Sequence, residues 1–354
     1  MNRGKDGLLP RTTSLADESY LDFVQSFRVK AVQEMYPLLE RVGNAAVERD
    51  CGAGGGPPSL EQVRTTLDRL PLVRAWQRFM RSHQEMMWRR TRASFEPQSD
   101  ELLQSMSLAE TRGPGSLTYD PSFVVPDYAR YEVHLQPGGY PDDPIGGAVY
   151  HYGTHVFYQG ENAQDQMHVE MAQKTTVPAD GRVQRVLDLA CSIGQGAVAL
   201  KQRFPQAEVS GLDVALPLLR YGHLRAAERG IDVRFVQGLA ESMPFPDGHF
   251  DVVMAYILFH EIPWAITERV IPEVARVLRP AGQFSIYEFP SASQQLSPVA
   301  RFLIDYDSRD NVEPYSPEFV KADFHGLLRS SGFDLQPGPR LANGFLQSIV
   351  ATRR

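Results

Sequence analysis

The chain of 354 residues has few cysteines, only Cys51 and Cys191. Two cysteines provide neither a disulfide framework nor the spacing of a zinc site, and this scarcity fits a reducing, cytoplasmic setting. Long apolar runs are also missing, because no stretch of about 18 apolar residues occurs. The N-terminus lacks the apolar centre of a signal peptide. The sequence therefore predicts neither a membrane span nor a cleaved leader.

Positive charge is in short supply as well. Lys and Arg number 36 against 43 Asp and Glu, which gives a formal net charge of −7. A chain with this balance has no overall field that attracts polyanions, so nucleic acid is not an expected partner. With 42% hydrophobic residues the chain is able to bury a sizeable core. Its length indicates about two domains.

The N-terminal half changes character along the chain. Residues 1–16 are polar, and we expect a disordered tail. Residues 17–112 carry apolar side chains at three- and four-residue steps, which predicts a helical domain broken at Pro37 and Pro71. Exposed helices of this domain would allow two chains to pair as a homodimer. Residues 113–180 are rich in Gly, Pro, Tyr and His without a helical period, which predicts a lid or acceptor-binding segment of loops and short strands.

Residues 181–354 alternate regularly between apolar strand-like segments and amphipathic helix-like segments. This alternation is typical of a parallel sheet covered by helices on both faces. The sequence therefore predicts a doubly wound α/β domain. Its expected strands, in chain order, are 183–190, 207–214, 232–238, 250–259, 282–290 and a final one within FLQSIVATRR.

The first expected strand ends in a turn of small residues, in the segment VLDLACSIGQGA. Asp188 is followed at alternate positions by Ala190, Ser192 and Gly194, and then a helix begins. Small side chains let a ligand approach the backbone, and the N–H groups of the helix point toward it. Ligands of open α/β sheets lie at this carboxyl edge of the strands.

Two further segments follow the next strands at the same edge. Asp213 ends the second strand, where an acidic side chain accepts hydrogen bonds from both hydroxyls of a ribose. Val214 would then pack against the adenine. This geometry is shared by nicotinamide and S-adenosylmethionine sites, and a helix cap at Asp213 is the simpler alternative. After the third strand come Leu239, Ala240 and Glu241, in the segment LAESMPF.

Together these segments resemble the class I S-adenosylmethionine-dependent methyltransferases, in particular the branch similar to ubiquinone/menaquinone C-methyltransferases. In that family an acidic residue, matched by Asp188, precedes three glycines at alternate positions. This chain keeps only the last of the three, Gly194. The resemblance implies a Rossmann-like methyltransferase fold with a seven-stranded, mostly parallel sheet and an antiparallel last strand. It also implies S-adenosylmethionine as cofactor.

The resemblance also implies individual roles at the site. The family's acid, Asp188 here, interacts with the methionyl end of the cofactor. Leu239 stands where the family has an acidic residue that binds the adenine amino group. Backbone groups of Leu239 and Ala240 are therefore expected to bind the base, beside Glu241, which is kept. Ala255, within the fourth strand, is also expected to lie at the cofactor.

His260 and Glu261 follow the fourth strand, at the edge where an acceptor is expected. A histidine has an unperturbed pKa near working pH, so His260 is our candidate for the general base. The alternative for His260 is a hydrogen bond that merely closes the strand. Glu261 is a second candidate, to orient His260 or to bind a substrate amine, with a structural role as its alternative.

The segment upstream of the first strand adds aromatic and histidine side chains. The hydroxyl of Tyr158 is a candidate ligand for the cofactor carboxylate, and His155 is a further catalytic candidate. His151 and His155 have the four-residue spacing of metal ligands. Gly153 between them disfavours a helix, however, and there is no evident third ligand. We therefore predict no metal site, and ordinary packing is the alternative for each of these residues.

The leading hypothesis is methyl transfer from S-adenosylmethionine to a small-molecule acceptor, such as a specialised metabolite. Oxygen, nitrogen and carbon acceptors all remain open. A peptide or protein acceptor is one alternative. A non-catalytic partner protein with eroded loop glycines is a second. A nicotinamide-dependent oxidoreductase is a third, and the missing G-x-G-x-x-G motif argues against it.

Overall fold

The structure is a computed structural model that describes residues 4–12, 14–52, 56–291, 296–342 and 346–354. Helices make up most of the first half of the described chain, and a large sheet with flanking helices makes up the second. The strands are β1 (Lys5–Asp6), β2 (Leu9–Pro10), β3 (Ser116–Thr118), β4 (Arg185–Leu189), β5 (Glu208–Asp213), β6 (Arg234–Gln237), β7 (Phe250–Tyr256), β8 (Leu278–Glu288), β9 (Phe333–Pro337) and β10 (Gln347–Arg353).

The helices cover both faces of the sheet and build the N-terminal region. A short π-helical turn, Ala31–Met35, joins the first two of them. They are α1 (Leu15–Lys30), α2 (Tyr36–Cys51), α3 (Leu60–Leu67), α4 (Pro71–Phe95), α5 (Ser99–Arg112), α6 (Gly146–Phe157), α7 (Gln166–Lys174), α8 (Gln195–Arg203), α9 (Leu216–Glu228), α10 (Trp264–Val277), α11 (Pro298–Asp310), α12 (Ser316–Lys321) and α13 (Phe324–Ser330).

The large sheet confirms the predicted doubly wound α/β fold. Its eight described strands lie in the order β3-β6-β5-β4-β7-β8-β10-β9. The pairs from β3 to β8 are parallel, and β10 runs antiparallel to both β8 and β9. The six strands expected from the sequence are present as β4–β8 and β10, and β9 supplies the seventh that the resemblance implies. Strand β3 adds an eighth, because Ser116–Thr118 pairs with Arg234–Val236 at the edge.

Alternate side chains of the central strands enter two separate cores. Leu187 and Leu189 of β4 pack in the core that includes α10 and α13, while Val186 packs in the core that includes α8. Successive side chains of a strand point to opposite faces, so a strand buried on both faces is apolar throughout. This explains why the central strands lack a polar face. It also leaves the carboxyl ends of the strands as the open edge.

The N-terminal residues correct one expectation. Residues 4–12 form the β1–β2 hairpin instead of a disordered tail. The Leu8 N–H donates to the Ala163 carbonyl at 2.8 Å, and the side chain of Leu9 is buried. The Lys5 ammonium also donates to Glu228 at 2.6 Å, so an apolar anchor and two long-range contacts hold the hairpin. Apolar burial at these two leucines outweighs the polar composition around them.

The expected breaks in the N-terminal helices take two forms. Pro71 begins α4, as expected from its missing N–H group. Pro37 lies in the first turn of α2, directly after the π-helical turn Ala31–Met35. A π-helical turn inserts an extra residue per turn and is frequent at functional sites. In this chain Ala31 of the turn is buried.

Residues 113–180 are more helical than the sequence indicates. Helices α6 and α7 both lie in this segment, including the stretch where Gly153 seemed to disfavour a helix. Gly153 is needed for packing, because a Cβ atom built there would lie 2.0 Å from Cζ3 of Trp88. The helix-breaking interpretation of this glycine is therefore wrong. Its missing side chain lets α6 approach α4.

Replacing Gly153 tests this packing. We expect Gly153→Ala to lower the free energy of unfolding by about 1–3 kcal/mol, since the added methyl group overlaps the Trp88 ring in a close-packed interior. Gly52→Ala is the matched control, because the nearest atom to a Cβ there is 3.8 Å away. Urea titrations of the two variants provide the comparison. Equal stability of both would contradict the packing explanation.

The predicted domain division stays a proposal, and one helix crosses it. Helix α11 lies in the C-terminal segment but packs among the N-terminal helices. Val299 and Phe302 of α11 share a buried cluster with Leu39 of α2 and Leu67 of α3. The N-terminal helices are therefore attached to the sheet domain through a common apolar core. None of the described helices combines the length and apolar composition that a membrane crossing needs.

Candidate active site

A cavity of about 920 Å³ opens at the carboxyl edge of the sheet. Its volume lies at the upper end of the range for small-molecule sites, roughly 300–1,000 Å³. One wall comes from the ends of β4, β5, β6 and β7. The facing wall comes from α1, α4, α6, α11 and the irregular segment between α5 and α6. The sheet edge and the N-terminal helices thus enclose one common space.

The turn after β4 keeps an unusual backbone despite its altered sequence. Ala190, Ser192 and Gly194 have φ angles of +58°, +50° and +71°. These are the three positions at which the methyltransferases resembled here carry glycine. The left-handed conformation costs a residue with a side chain about 1–2 kcal/mol. Ala190 and Ser192 nevertheless adopt this left-handed conformation. The surrounding structure therefore holds the backbone in the conformation that glycine would adopt most easily.

Gly194 itself lies outside the cavity wall. It precedes α8, and a Cβ atom there would lie 2.5 Å from the ring of Phe235. Its glycine character therefore serves the fit between α8 and β6. Ala190 and Ser192, in contrast, line the cavity. Ala190 and Ser192 thus belong to the cavity wall, whereas Gly194 allows the close packing of α8 against β6.

Asp188 lies below the beginning of α8. Its side chain is buried, and Oδ2 has no hydrogen-bond partner among the described residues. A Cβ atom on Gly196 would lie 2.6 Å from this oxygen. Burial, opposed by a hydrogen bond from the Ala197 backbone and aided by the charge of Asp213, raises the pKa of Asp188 to about 8. A cationic ligand at this wall would restore its charge.

Asp213 ends β5 and holds the turn in place. Its carboxylate accepts the Ser192 N–H at 2.8 Å and the Ala215 N–H at 2.9 Å. Burial is the main cause that raises its pKa. A carboxylate accepts up to about four hydrogen bonds, so each oxygen of Asp213 keeps capacity for a ligand hydroxyl. Asp213 and Val214 both line the cavity.

The residues after β6 continue the same wall. Leu239, Ala240 and Glu241 line the cavity. The carboxylate of Glu241 accepts the Tyr128 hydroxyl at 2.8 and 3.0 Å, and the Arg269 guanidinium lies 3.3 Å from it. Glu241 therefore connects the upstream segment to the rim. Its hydrogen-bonding capacity is largely occupied by protein groups.

The fourth expected strand, β7, contributes a different residue from the one proposed. Ala255 is buried between Leu189 and Ile286 and is not part of the cavity wall. The next residue, Tyr256, lines the cavity, and its hydroxyl lies 3.0 Å from the hydroxyl of Tyr158. Side chains of neighbouring strand residues point to opposite faces, so the assignment was off by one position.

His260 is bound by a glutamate at the far wall. Its Nδ1 lies 2.7 Å from Oε1 of Glu288, and Oε2 of Glu288 accepts the Phe259 N–H at 2.7 Å. Both side chains are buried, and His260 lines the cavity. Burial by itself lowers the pKa of His260, but the charge and hydrogen bond of Glu288 raise it to about 9. The imidazole is therefore protonated at pH 7.

Glu261 and His134 face each other beside this pair. Oε1 of Glu261 lies 3.5 Å from the Tyr140 hydroxyl and 3.9 Å from Nε2 of His134. The Nδ1 of His134 lies 3.0 Å from Oε1 of Glu313. The backbone of His134 is left-handed, with φ of +52°, and its carbonyl accepts the indole N–H of Trp88 at 2.6 Å. A strained residue held from several sides is typical of binding sites.

Sequence reasoning missed His134 and Tyr256, and it considered Glu288 only as a residue that could face the acceptor. His134 lies in a segment without periodicity, and only its neighbours in space reveal it. Glu288 ends a strand, a position that marks the carboxyl edge of a sheet. Its pairing with His260 depends on the adjacency of β7 and β8, which a sequence does not state directly.

His155 does not lie at the cavity. Its ring packs near Tyr152, with 6.1 Å between the ring centroids, and burial lowers its pKa. Its proposed catalytic role is corrected, because α6 directs Thr154, Phe157 and Tyr158 into the cavity instead. His151 contacts the Tyr221 hydroxyl at 3.0 Å. Among the described residues no group of three potential ligands is arranged to hold a metal ion.

The wall formed by β4, β5 and β6 fits an adenosine with a charged amino-acid end. Asp188 offers an unpartnered buried oxygen, Asp213 offers acceptors for hydroxyls, and Val214 and Leu239 offer apolar contact. The doubly wound sheet and this carboxyl-edge site define a nucleotide-binding enzyme of the methyltransferase type. Comparisons with known proteins agree with this class.

Residues 186–282 match a family model described as a methyltransferase domain. A demethylmenaquinone methyltransferase of Thermus thermophilus is 43% identical over 30% of this chain, and this match covers 47% of the relative. An uncharacterized methyltransferase of Synechocystis is 33% identical over 48% of the chain and 75% of its own length. A probable phthiotriol/phenolphthiotriol dimycocerosates methyltransferase of Mycobacterium ulcerans is 36% identical over 48% of the chain and 69% of its own length. The chain belongs to the S-adenosylmethionine-dependent methyltransferases.

Proposed function

We propose that the protein transfers the methyl group of S-adenosylmethionine to an acidic hydroxyl of a small-molecule acceptor. The observation that carries this proposal is the His260–Glu288 pair in the wall of the cavity that Asp188 and Asp213 also line. A donor bound along β4 and β5 and an acceptor at the end of β7 would share one enclosed space. Proximity of this kind contributes on the order of 7–11 kcal/mol in the best oriented systems.

When bound, the cofactor would supply a sulfonium methyl group for in-line transfer to the acceptor oxygen, with the neutral thioether as leaving group. Asp188 and Asp213 would hold the methionyl and ribose parts of the cofactor. In its neutral form, which is populated as the pH approaches about 9, His260 would take the hydroxyl proton at Nε2 while Glu288 holds Nδ1. The S–C electron pair stays on sulfur, the O–C bond forms, and the proton ends on the imidazole. The tyrosines at the cavity would exclude water from the acceptor.

The pKa of about 9 at His260 supports an acidic acceptor. Transfer of a proton to a base has a larger driving force when the acceptor hydroxyl is more acidic. Phenols and enols, with pKa values of about 10, meet this condition better than aliphatic alcohols. The acceptors in the names of the relatives, demethylmenaquinone and phthiotriol or phenolphthiotriol dimycocerosates, support a small-molecule acceptor. The left-handed turn at Ala190 and Ser192 supports an intact cofactor site over the non-catalytic alternative.

An acceptor panel tests this proposal. Phenols, aliphatic alcohols and amines of the same ring framework are offered with S-adenosylmethionine, and formation of the demethylated cofactor is measured. We expect turnover with the phenols, and at least about tenfold less with the matched alcohols because their O–H is less acidic. Turnover restricted to the amines would contradict the oxygen-acceptor proposal.

Two further expectations stay proposals. One is that residues 17–112 and 113–180 build the acceptor side of the cavity. It is supported by the lining residues Trp76, Tyr131 and Tyr158. The other is that two chains pair through the N-terminal helices. It is supported by the exposed apolar side chain of Phe23, at 52%.

A further inference from the structure

The part of the cavity wall that comes from helices outside the sheet is mainly apolar. The π-helical turn and the neighbouring helices α4 and α11 contribute its side chains. Those that line the cavity include Ala31, Val32, Trp76, Met80, Leu303 and Ile304. These helices lie outside residues 186–282, which match the methyltransferase family model. This part of the wall therefore lies outside the segment that matches the family model.

One cation, Arg28, lies within this apolar wall. Its guanidinium stacks on the Phe157 ring, with 3.9 Å from Cζ to the ring centroid, and Nη1 lies 3.8 Å from the sulfur of Met80. Its Nε is buried without a hydrogen-bond partner among the described residues. No described carboxylate forms an ion pair with it within 4.0 Å. A guanidinium in this position is desolvated without a contacting counterion, which is costly.

The two carboxyl groups with the largest electrostatic effect on Arg28 are those of Asp307 and Glu313, and neither forms an ion pair with it. Glu313 is paired with His134 at 3.0 Å, and against the effect of burial this imidazole lowers the pKa of Glu313 to about 2. Burial, together with the charge of Glu313, raises the pKa of Asp307 to about 8. Burial thus favours the neutral form of Asp307, and Glu313 is already paired with His134. Because neither carboxyl group forms an ion pair with Arg28 within 4.0 Å, the guanidinium is left for a ligand.

We propose that Arg28 binds a carboxylate on an otherwise apolar acceptor, whose body lies between α4 and α11. This inference rests on the proposed function and specifies its substrate class. A planar guanidinium donates two parallel hydrogen bonds to a carboxylate, and such pairs are about twice as strong as neutral hydrogen bonds. The carboxylate would anchor the acceptor at the α1 side of the cavity, where Arg28 stacks on Phe157. The reacting hydroxyl would be a separate group of the same molecule, directed at His260.

Dodecanoate and 1-dodecanol are suitable probes, because they share an apolar chain and differ in charge at pH 7.5. Binding is measured by quenching of the fluorescence of Trp76 and Trp88, which line the cavity. We expect the wild-type protein to bind dodecanoate at least about tenfold more tightly than dodecanol, in line with one charge-assisted pair. In Arg28→Gln this preference should disappear, while the affinity for dodecanol changes less than about threefold.

Two variants keep the test specific. Arg28→Lys retains the positive charge but not the planar guanidinium that donates two parallel hydrogen bonds. We therefore expect a preference for dodecanoate over dodecanol that lies between those of the wild type and Arg28→Gln. Arg90→Gln is the matched control, since its guanidinium also stacks on a ring, that of Tyr20 at 4.6 Å, but lies outside the cavity. Its preference for dodecanoate should equal that of the wild type. A preference that persists in Arg28→Gln, or is lost in Arg90→Gln, would overturn the proposal.

The carboxylate of the cofactor is the other possible source of the anion. S-adenosylhomocysteine, which carries that carboxylate, and methylthioadenosine, which lacks it, are titrated into wild type and Arg28→Gln. We expect both to bind the variant within about threefold of the wild type. Selective loss of S-adenosylhomocysteine affinity would assign Arg28 to the cofactor and overturn the acceptor site. No binding of S-adenosylhomocysteine to the wild type would refute the proposed function, while the dodecanoate preference would still report on Arg28.

Discussion

His260→Ala is expected to lower kcat by about 10²–10⁴-fold, the usual contribution of a positioned general base. The affinity for S-adenosylhomocysteine should change less than about threefold. The reason is spatial, because His260 pairs with Glu288 at the end of β8 while Asp188 and Asp213 belong to β4 and β5. Steady-state kinetics and calorimetric titration measure the two quantities separately.

The pH dependence supplies an independent signature of the same residue. A base must be unprotonated to act, so the wild-type rate should rise with pH until it levels off above about 9. Glu288→Gln removes the charge that raises this pKa, and the rise should then level off at a lower pH. The variant should also have a lower maximum, because Nδ1 loses its charged partner.

Glu241→Gln is a useful comparison for His260→Ala. Glu241 lies in the cavity wall but is occupied by Tyr128 and Arg269. Its replacement should leave unchanged the pH range over which the reaction rate rises. An unchanged kcat in His260→Ala, or a wild-type rate independent of pH between 6 and about 9, would remove His260 as the base.

Asp213→Asn is expected to weaken S-adenosylhomocysteine binding by about 10–100-fold. Hydrogen bonds to a charged group contribute about 1.5–3 kcal/mol, and those from the ribose hydroxyls would be made to this carboxylate. The same carboxylate accepts the Ser192 N–H at 2.8 Å, so the left-handed turn also loses support. Calorimetric titration measures the affinity, and thermal unfolding without ligand measures the effect on the turn.

Asp251 offers a matched control at the opposite edge of the sheet. Like Asp213 it is a strand aspartate that accepts two backbone N–H groups, from Gln184 at 2.7 Å and Arg185 at 2.9 Å. It is not part of the cavity wall. Asp251→Asn should lower stability to a similar extent with cofactor affinity within about threefold of the wild type. Equal losses of affinity in both variants would show that Asp213 acts only on stability.

The sheet domain was predictable because its signals are local and repeated. Each apolar strand ends at a turn or polar segment, and Asp188 and Asp213 stand where ligands of such sheets are expected. The backbone conformation at the two turn positions without glycine was harder to predict. Ala190 and Ser192 look like an eroded glycine motif in the sequence, yet both keep a left-handed backbone. The Ser192 N–H is held by a carboxylate 21 residues away.

The acceptor side was much less predictable, because its residues come from distant parts of the chain. Arg28, His134 and Glu313 meet only where α1, the segment before α6 and the segment after α11 come together. The sequence did not show that His155 lies off the cavity, because the direction of each side chain on α6 depends on how the helix is rotated about its axis. Thr154 and Tyr158 line the cavity while His155 does not. Gly153 was misjudged because its contact with Trp88 is not visible in the sequence.

The sequence by itself determined the fold class and the cofactor edge, since strand periodicity and the turns at strand ends are properties of short segments. Only the tertiary structure decided the protonation state of His260 and which side chains line the acceptor side of the cavity. Both depend on groups far apart in the chain that burial brings into contact, and a pKa follows the surroundings of a side chain more than its neighbours in sequence.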